Sequence, residues 1–188
     1  MMKRALCTAA VLAAAVAAPA AAQAPAPRIT VEPYVGYGFF GTLPGTTEQT
    51  LEADIALGGR AAFQLTPQFA VFGNFQRATP EIENTTTTGN VDHWAAGIEF
   101  SYIPRGGAEG MLPIILEAGL GQARYSGYGT AIPDGSDLAV KLGISSALRL
   151  TPNLGVRYGV DDYISNYGAD DAGVINQFVA RLGAEIRF

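Results

Sequence analysis

The last eight residues of the chain, RLGAEIRF, alternate between apolar positions and polar or small positions. Leu182, Ala184, Ile186 and Phe188 share one side of this segment, and the residues between them share the other. A period of two predicts a β-strand, because successive side chains of a strand point to opposite faces of the sheet. Since the alternation continues to the final residue, the C-terminus is predicted to be a strand and not a frayed tail.

The same alternation recurs along the chain in eight segments. They comprise residues 29–40, 53–66, 68–78, 91–103, 112–125, 137–150, 153–163 and 175–188. Three of the connections are short, including the turn sequences LTPQ and LTPN, and the other four are longer and polar. Because short and long connections alternate, the chain is predicted to form an all-β fold, an eight-stranded antiparallel up-and-down β-barrel with one elaborate end.

One face of the predicted strands is apolar, and the other combines small residues with isolated charges of both signs. The charged positions on this second face are Glu32, Arg60, Glu99, Glu117, Lys141, Arg149, Arg157, Arg181 and Glu185. Small and oppositely charged residues suit a narrow interior, where charges must pair because an unpaired buried charge is prohibitively costly. The apolar face is then the outside of the barrel, which requires lipid, so the predicted barrel is transmembrane.

The predicted interior charges have two interpretations. An eight-stranded barrel is just wide enough for its own side chains to fill it, which favours a structural plug of ion pairs. A gated path for a solute along the same charges is the alternative. The plug is the expectation, because a wide aqueous pore is physically disfavoured in a barrel of this size.

The N-terminal segment has the pattern of a cleavable export signal. Lys3 and Arg4 precede an alanine-rich apolar stretch, and small residues follow it. Residues 1–22 are therefore predicted to be a signal peptide, with cleavage after Ala22 or after Ala24. Residues 23–28 are a short lead-in, and residues 29–188 form the barrel domain. Without the signal the chain has no cysteine, so no disulfide is expected.

Charge narrows the range of partners. Removal of the signal takes Lys+Arg from 12 to 10 against 17 Asp+Glu, a formal net charge of −7, which argues against nucleic acid. The segments 41–53, 79–92, 126–137 and 161–174 hold many acidic residues and no Lys or Arg. Asp161, Asp162, Asp170 and Asp171 are candidate ligands for Ca²⁺ or Mg²⁺. A solvated, negatively charged surface is the alternative that the sequence favours.

The sequence shows no catalytic constellation. A lipid-deacylating outer-membrane enzyme of this size would use a His-x-Ser pair, whereas the only histidine stands in His93-Trp94-Ala95. His93 is expected to be a polar residue at the upper rim of the barrel. The GYGFFG stretch has dinucleotide-motif spacing but is followed by no predicted helix, which such a site requires. We therefore predict no enzyme activity, no catalytic residue, no cofactor and no transition-metal site.

These features resemble the small outer-membrane β-barrel family of Gram-negative bacteria, the OmpA, OmpX, OmpW and opacity-protein type. The resemblance covers nearly the whole chain after the signal. The terminal Phe188, with Ile186, Ala184 and Leu182 before it, resembles the signature that the barrel-assembly machinery reads in this family. Pro33 departs from the pattern, because it lacks the N–H of a closing strand, and it is expected at a bulge or at the start of its strand.

The resemblance implies an outer-membrane location, with both termini in the periplasm and four long loops outside. The expected partners are outer-membrane lipids, the assembly machinery and an extracellular ligand or host surface that the sequence does not name. The expected function is non-enzymatic, a structural, adhesive or surface-interaction role carried by the acidic loops. A narrow, porin-like channel for small or apolar solutes is the alternative. A lipid-modifying enzyme and a soluble periplasmic barrel that binds an apolar ligand are disfavoured.

Overall fold

The computed structural model describes residues 29–43, 49–102, 112–151, 153–166 and 173–188. Its strands are β1 (Ile29–Phe39), β2 (Gly41–Leu43), β3 (Gln49–Leu51), β4 (Asp54–Gln64), β5 (Phe69–Ala78), β6 (Asn90–Tyr102), β7 (Ile114–Ser126), β8 (Gly135–Arg149), β9 (Leu154–Asn166) and β10 (Val174–Arg187). Within these ranges, no helix has the length and apolar character needed to cross a membrane. The predicted signal peptide and lead-in lie outside the described residues.

Eight of these strands form a closed antiparallel barrel in the order β1-β10-β9-β8-β7-β6-β5-β4. Each strand pairs with its neighbours along the chain, and β1 closes the sheet against β10. This architecture confirms the prediction of an eight-stranded up-and-down barrel. The remaining two strands, β2 and β3, pair with each other in a small hairpin outside the barrel wall.

The strand pairing determines the width of the barrel. Paired residues lead from Ile29 through Phe63, Val71, Ile98, Ala118, Leu142, Asp162 and Phe178 back to β1 at Phe39, ten residues further along. A stagger of this size over eight strands requires a strand tilt of about 40° and a backbone radius of about 8 Å. Such a barrel leaves room inside for side chains and little else.

The two ends of the barrel are built differently. At one end Thr66 and Thr151 form matching tight turns, in which each hydroxyl accepts hydrogen bonds from the backbone N–H groups two and three residues later. We call this the turn end; Ile29 and Phe188 also lie here, and the Phe188 N–H donates to the Ile29 carbonyl at 2.9 Å. The opposite end, called the loop end, carries the β2–β3 hairpin and residues 79–89 and 127–134.

Pro33 lies in the middle of β1 and not at a bulge or at the strand's start, which corrects the sequence-based expectation. The β1–β10 register is the same on both sides of it, from Val31↔Ile186 to Tyr34↔Gly183, but the ladder is interrupted between these pairs. On the other side Pro33 pairs in register with Gly59 of β4. The missing proline N–H therefore faces β10, where it weakens the closing ladder without shifting it.

The faces of the strands are those predicted. Leu57 on the outer face is 63% exposed, whereas Arg60 on the inner face is 3% exposed. Large apolar side chains cover the outside on every barrel strand, and the buried polar side chains lie inside except Asp92, which the outward-facing Arg77 covers. Ten residues of a strand tilted in this way rise about 25 Å along the barrel axis, which is the height of the apolar band of transmembrane barrels.

Candidate functional site

The interior of the barrel is crossed by a network of ion pairs centred on Glu117. One of its carboxylate oxygens accepts from Arg157 at 2.6 Å and from Arg181 at 2.7 Å. The other accepts from Lys141 at 2.5 Å and lies 3.8 Å from the Arg60 guanidinium. All five side chains are buried. Glu117 therefore balances charge from four cations contributed by four different strands.

Three further carboxylates complete the network. Glu32 accepts from Arg181 at 2.5 Å, and Asp161 accepts from Lys141 at 2.8 Å and from Arg181 at 2.9 Å. Glu99 pairs with Arg60 and with Arg157. Four cations thus face these four carboxylates, and a fifth buried carboxylate, Glu185, is shared between Arg157 and Arg187. Such mutual pairing is what keeps ionised groups tolerable away from water.

Aromatic rings and glycines make this arrangement fit the narrow interior. The Phe72 ring lies between Arg60 and Lys141, with each cationic group 5.0 Å from its centroid. A Cβ atom added to Gly143 would lie 2.6 Å from an Asp161 carboxylate oxygen and 3.2 Å from the Lys141 amine. Glycine at this position therefore leaves the space that the ion pairs occupy.

Two of the predicted interior charges lie towards the turn end of the network. Glu185 is buried and lies 3.5 Å from Arg157, but it also pairs with Arg187 at the turn end. Arg149 is on the predicted face but is exposed at the end of β8, where it lines a cavity open at the turn end. Conversely, Asp161 belongs to the network although the sequence suggested it as a loop residue. The sequence left Asp161 both in the predicted strand 153–163 and in the acidic segment 161–174, and because β9 continues to Asn166, Asp161 lies within the wall.

The predicted divalent-cation site is not assembled from Asp161 and Asp162. These residues are adjacent on β9, so Asp161 points into the barrel and Asp162 points to the outer face, opposite Leu142 and Phe178 on the neighbouring strands. Asp170 and Asp171 lie outside the described residues. In the described part of the chain, no three or more His, Cys, Asp or Glu residues are grouped so as to hold a metal ion.

A second polar layer lies between the ion-pair network and the loop end. His93 is fully buried, and its two ring nitrogens lie 3.1 Å from Gln76 Nε2 and 2.5 Å from Gln177 Oε1. Its ring stacks on Tyr163 with a centroid separation of 4.3 Å. The sequence placed His93 at the rim, and this is wrong: it lies inside the wall because apolar residues of the connections cover it.

Those apolar residues form a cap that the sequence did not predict. Gly41, with a φ of 67°, turns the chain from β1 into the β2–β3 hairpin, and the hairpin pairs with the β5–β6 connection through Leu51↔Ile82. The buried side chains of the cap are Phe40, Leu43, Leu51, Ile82, Tyr128 and Ile132. Burial raises the pKa of the Tyr128 phenol, so its hydroxyl stays protonated and donates to the Pro80 carbonyl.

Solved structures share this architecture at low sequence identity. Neisserial surface protein A matches with a TM-score of 0.61 at 11% identity, over 88% of this chain and 99% of that chain. The N-terminal β-barrel domain of OprF from Pseudomonas aeruginosa matches with a TM-score of 0.54 at 15% identity, over 86% and 97%. The outer membrane protein AlkL, determined in DMPC lipid bilayers, matches with a TM-score of 0.54 at 13% identity, over 86% and 90%. No protein-family model and no curated protein matches the chain.

This chain has the fold of the small outer-membrane β-barrels. The likeness extends to nearly the full length of each matched chain. At these identities it shows the fold alone, so the roles of individual residues rest on the geometry of this barrel.

The acidic character of the loop end is smaller than the sequence suggested. Asp92, Asp137, Asp161 and Asp162 lie on barrel strands and not in loops. Among the described residues, the exposed loop carboxylates are Glu52, Glu81, Glu83 and Asp134. Glu48 lies outside the described residues. Five barrel strands, β6 to β10, extend one to three residues beyond their predicted limits at this end, because backbone pairing with neighbours lengthens them past the alternating pattern.

Proposed function

We propose that the protein is an integral outer-membrane barrel with a closed interior and a non-enzymatic role carried by its loop end. In this proposal the loop end faces the cell exterior and both termini lie in the periplasm. The role is structural or adhesive, through contact of the exposed loops with a partner surface. The fold and the continuous apolar outer surface support the membrane location, because such a surface needs lipid.

The proposal of a closed interior rests on one observation: three successive layers of side chains fill the barrel. The ion-pair network centred on Glu117 lies nearest the turn end, the layer around His93 follows, and the apolar cap covers the loop end. A solute passing through would have to separate buried ion pairs, and such separation is costly. The protein is therefore proposed to act at its surface and not through its lumen.

A narrow channel remains the second candidate, because a cavity of about 370 Å³ opens at the turn end. Arg149, Arg157 and Glu185 line it. It ends at the ion-pair network, which favours a vestibule over a through-path. A channel would require the network and the cap to move together.

A lipid-modifying enzyme and a soluble ligand-binding barrel find less support. Both ring nitrogens of His93 lie against glutamine side chains, so it is poorly placed to take a proton from a substrate. A soluble barrel would carry polar side chains on its outer face, whereas the outer face of this barrel exposes large apolar side chains, and the described interior is crossed by ion pairs where an apolar ligand would have to lie.

The membrane location and orientation are tested by surface labelling of intact cells. Glu83→Cys places a thiol on the loop end, and Gln68→Cys places one on the turn end; both positions are exposed. A membrane-impermeant maleimide is expected to label Glu83→Cys on intact cells and Gln68→Cys only after the outer membrane is opened. The unsubstituted protein is the control for any reaction at Cys7.

Mobility on SDS gels with and without boiling then reports barrel closure, because a closed hydrogen-bonded sheet resists SDS until it is heated. A soluble, heat-insensitive protein would refute the membrane barrel, and labelling of Gln68→Cys on intact cells would reverse the orientation. In planar bilayers we expect no single-channel steps from the native protein. Reproducible conductance steps would refute the closed interior and favour the narrow channel.

A further inference from the structure

A groove runs over the outer wall of β4 to β7, on a surface that is covered for the most part by large side chains. Ala61, Gly73 and Ala96 are direct pairing partners across β4, β5 and β6, and all three lie on the exposed outer face. The larger side chains of Phe75 and Trp94 border this row on the side of the loop end. The small residues leave a hollow in the wall, and the groove has a volume of about 830 Å³.

A row of polar side chains follows on the same outer face, two residues nearer the loop end than Phe75 and Trp94. Its members, Arg77, Asp92, Arg124 and Ser136, are pairing partners across β5 to β8. An apolar surface that gives way to a polar row beside a tryptophan is the pattern expected where hydrocarbon meets lipid headgroups.

The two arginines of this row differ in their ion pairing. Arg77 donates to both carboxylate oxygens of Asp92, at 2.6 and 2.8 Å, so this pair is neutral. Arg124 is exposed and makes no ion pair with another residue of the described ranges. The segments of the loop end contain no other Lys or Arg in the sequence. Arg124 is therefore the cation available to an anion at this edge of the wall.

A second groove, of about 390 Å³, lies beside Arg124. Trp94 and Gln122, which pair across β6 and β7, line both this groove and the larger one, so the two grooves adjoin. Asp134 also lines the smaller groove, and one of its carboxylate oxygens accepts the Gly127 N–H at 3.0 Å. The combined surface has a cationic, polar end towards the loops and an apolar end within the wall.

We propose that this surface binds one phosphate-bearing membrane lipid, with its phosphate on Arg124 and an acyl chain in the hollow over Gly73. The inference rests on the proposed membrane location, because only a lipid of the surrounding leaflet reaches both ends of the surface. A guanidinium binds phosphate through charge-assisted hydrogen bonds. The small residues let the chain pack closer to the wall than elsewhere, which gains dispersion contacts that a generic lipid position lacks.

The test uses the full protein extracted from membranes in detergent, titrated with defined lipids and read by native mass spectrometry. The probes are dioleoyl phosphatidylglycerol and dioleoylglycerol, which share their acyl chains and differ in the phosphate headgroup. We expect one phosphatidylglycerol to bind more tightly than dioleoylglycerol. Arg124→Gln is expected to lower the affinity for phosphatidylglycerol about tenfold and to leave the affinity for dioleoylglycerol unchanged.

Gly73→Leu tests the other end of the site, since an added Cβ there meets no atom within 4 Å and should not disturb the fold. The leucine side chain fills the hollow, so the affinity for both lipids is expected to fall about tenfold. Arg149→Gln, which removes an exposed arginine at the turn end, is the matched control. It should leave the affinity for both lipids unchanged.

Lipid binding by Arg124→Gln and Gly73→Leu equal to that of the native protein would overturn the site. Equal affinity of the native protein for the two lipids would overturn the role of the phosphate. The heat-induced gel shift of every variant separates these results from failure of the membrane barrel, because that shift depends on closure of the sheet and not on the lipid. Loss of the shift in the native protein would refute the proposed function instead.

Discussion

Glu117 shows how a single residue can organise a charged interior. Its carboxylate meets Lys141, Arg157 and Arg181 at hydrogen-bonding distance and Arg60 at 3.8 Å. Burial disfavours an ionised carboxylate, but the surrounding cations compensate it. Loss of its charge would remove the carboxylate that meets all four buried cations.

We therefore expect Glu117→Gln, which keeps the size of the side chain and removes its charge, to destabilise the barrel strongly. Breaking a buried ion pair by removing one partner typically lowers the free energy of unfolding by about 3–5 kcal/mol. Urea unfolding of the protein refolded into lipid vesicles measures the change. Glu81→Gln, at an exposed loop carboxylate, is the control and should stay within about 0.5 kcal/mol of the native protein. Equal effects of the two substitutions would refute a special role for Glu117.

Strand β10 illustrates what is decided at the scale of an element. Its outer face is apolar from Phe178 to Phe188, with Val174 beyond the polar Asn176, and its backbone closes the sheet against β1 despite the interruption at Pro33. Phe188 and Val174 lie at opposite ends of this face and are both 71% exposed. Their packing in the folded barrel is thus similar, whereas the predicted assembly signal concerns Phe188 alone.

Because Phe188 and Val174 are equally exposed, substitutions at the two positions distinguish an effect on assembly from an effect on stability. We expect Phe188→Asn to reduce the amount of heat-shifting barrel in the membrane fraction several-fold, while Val174→Asn leaves it near the native amount. Both variants are expected to refold into lipid vesicles in vitro, since each loses one exposed apolar side chain of comparable burial. A deficit shared equally by the two variants, or a refolding defect specific to Phe188→Asn, would contradict an assembly signal.

At the scale of the whole molecule, closure of the barrel wall does not depend on the apolar cap. The wall is closed by backbone pairing of the eight barrel strands, whereas the cap packs on its end through the β2–β3 hairpin and residues 79–89. Gly38 pairs with Asp54 at the loop end, so a short turn can join β1 to β4 directly. The cap is therefore not needed for the closure of the barrel.

Replacement of residues 40–53 by a short Gly-Ser turn tests this separation. We expect the variant to keep its heat-induced gel shift, because the closing β1–β10 ladder is untouched. It is also expected to remain without conductance in planar bilayers, because the ion pairs around Glu117 still fill the interior. Conductance steps after removal of the cap would instead make the cap the gate of a channel.

Much of the fold follows from local alternation. The eight segments, the outward apolar face and most inward charges were predictable because a strand places residues i and i+2 on one face whatever its neighbours are. The closing role of the C-terminal segment follows from the same rule. The β2–β3 hairpin was missed, because three-residue strands are too short to show a period.

The partners of the interior charges depended on the tertiary structure. The sequence indicated that Glu32, Glu117 and Arg181 point inward, but their contact needs the pairing of distant strands. Asp161 stood where a predicted strand and an acidic segment overlap, and only pairing with β8 and β10 shows that it belongs to the wall and points inward. The burial of His93 has the same origin, because it is covered by the cap and not by residues near it in sequence.

The sequence by itself therefore determined the number of barrel strands, their faces and the closed barrel, all of which arise from the two-residue period and the spacing of turns. Only the tertiary structure decided which charges meet, how the lumen is capped and where Arg124 lies above an apolar groove. The physical reason is the range of the interactions. Side-chain alternation is local, whereas ion pairs and surface grooves combine residues that the stagger of eight strands brings to the same height.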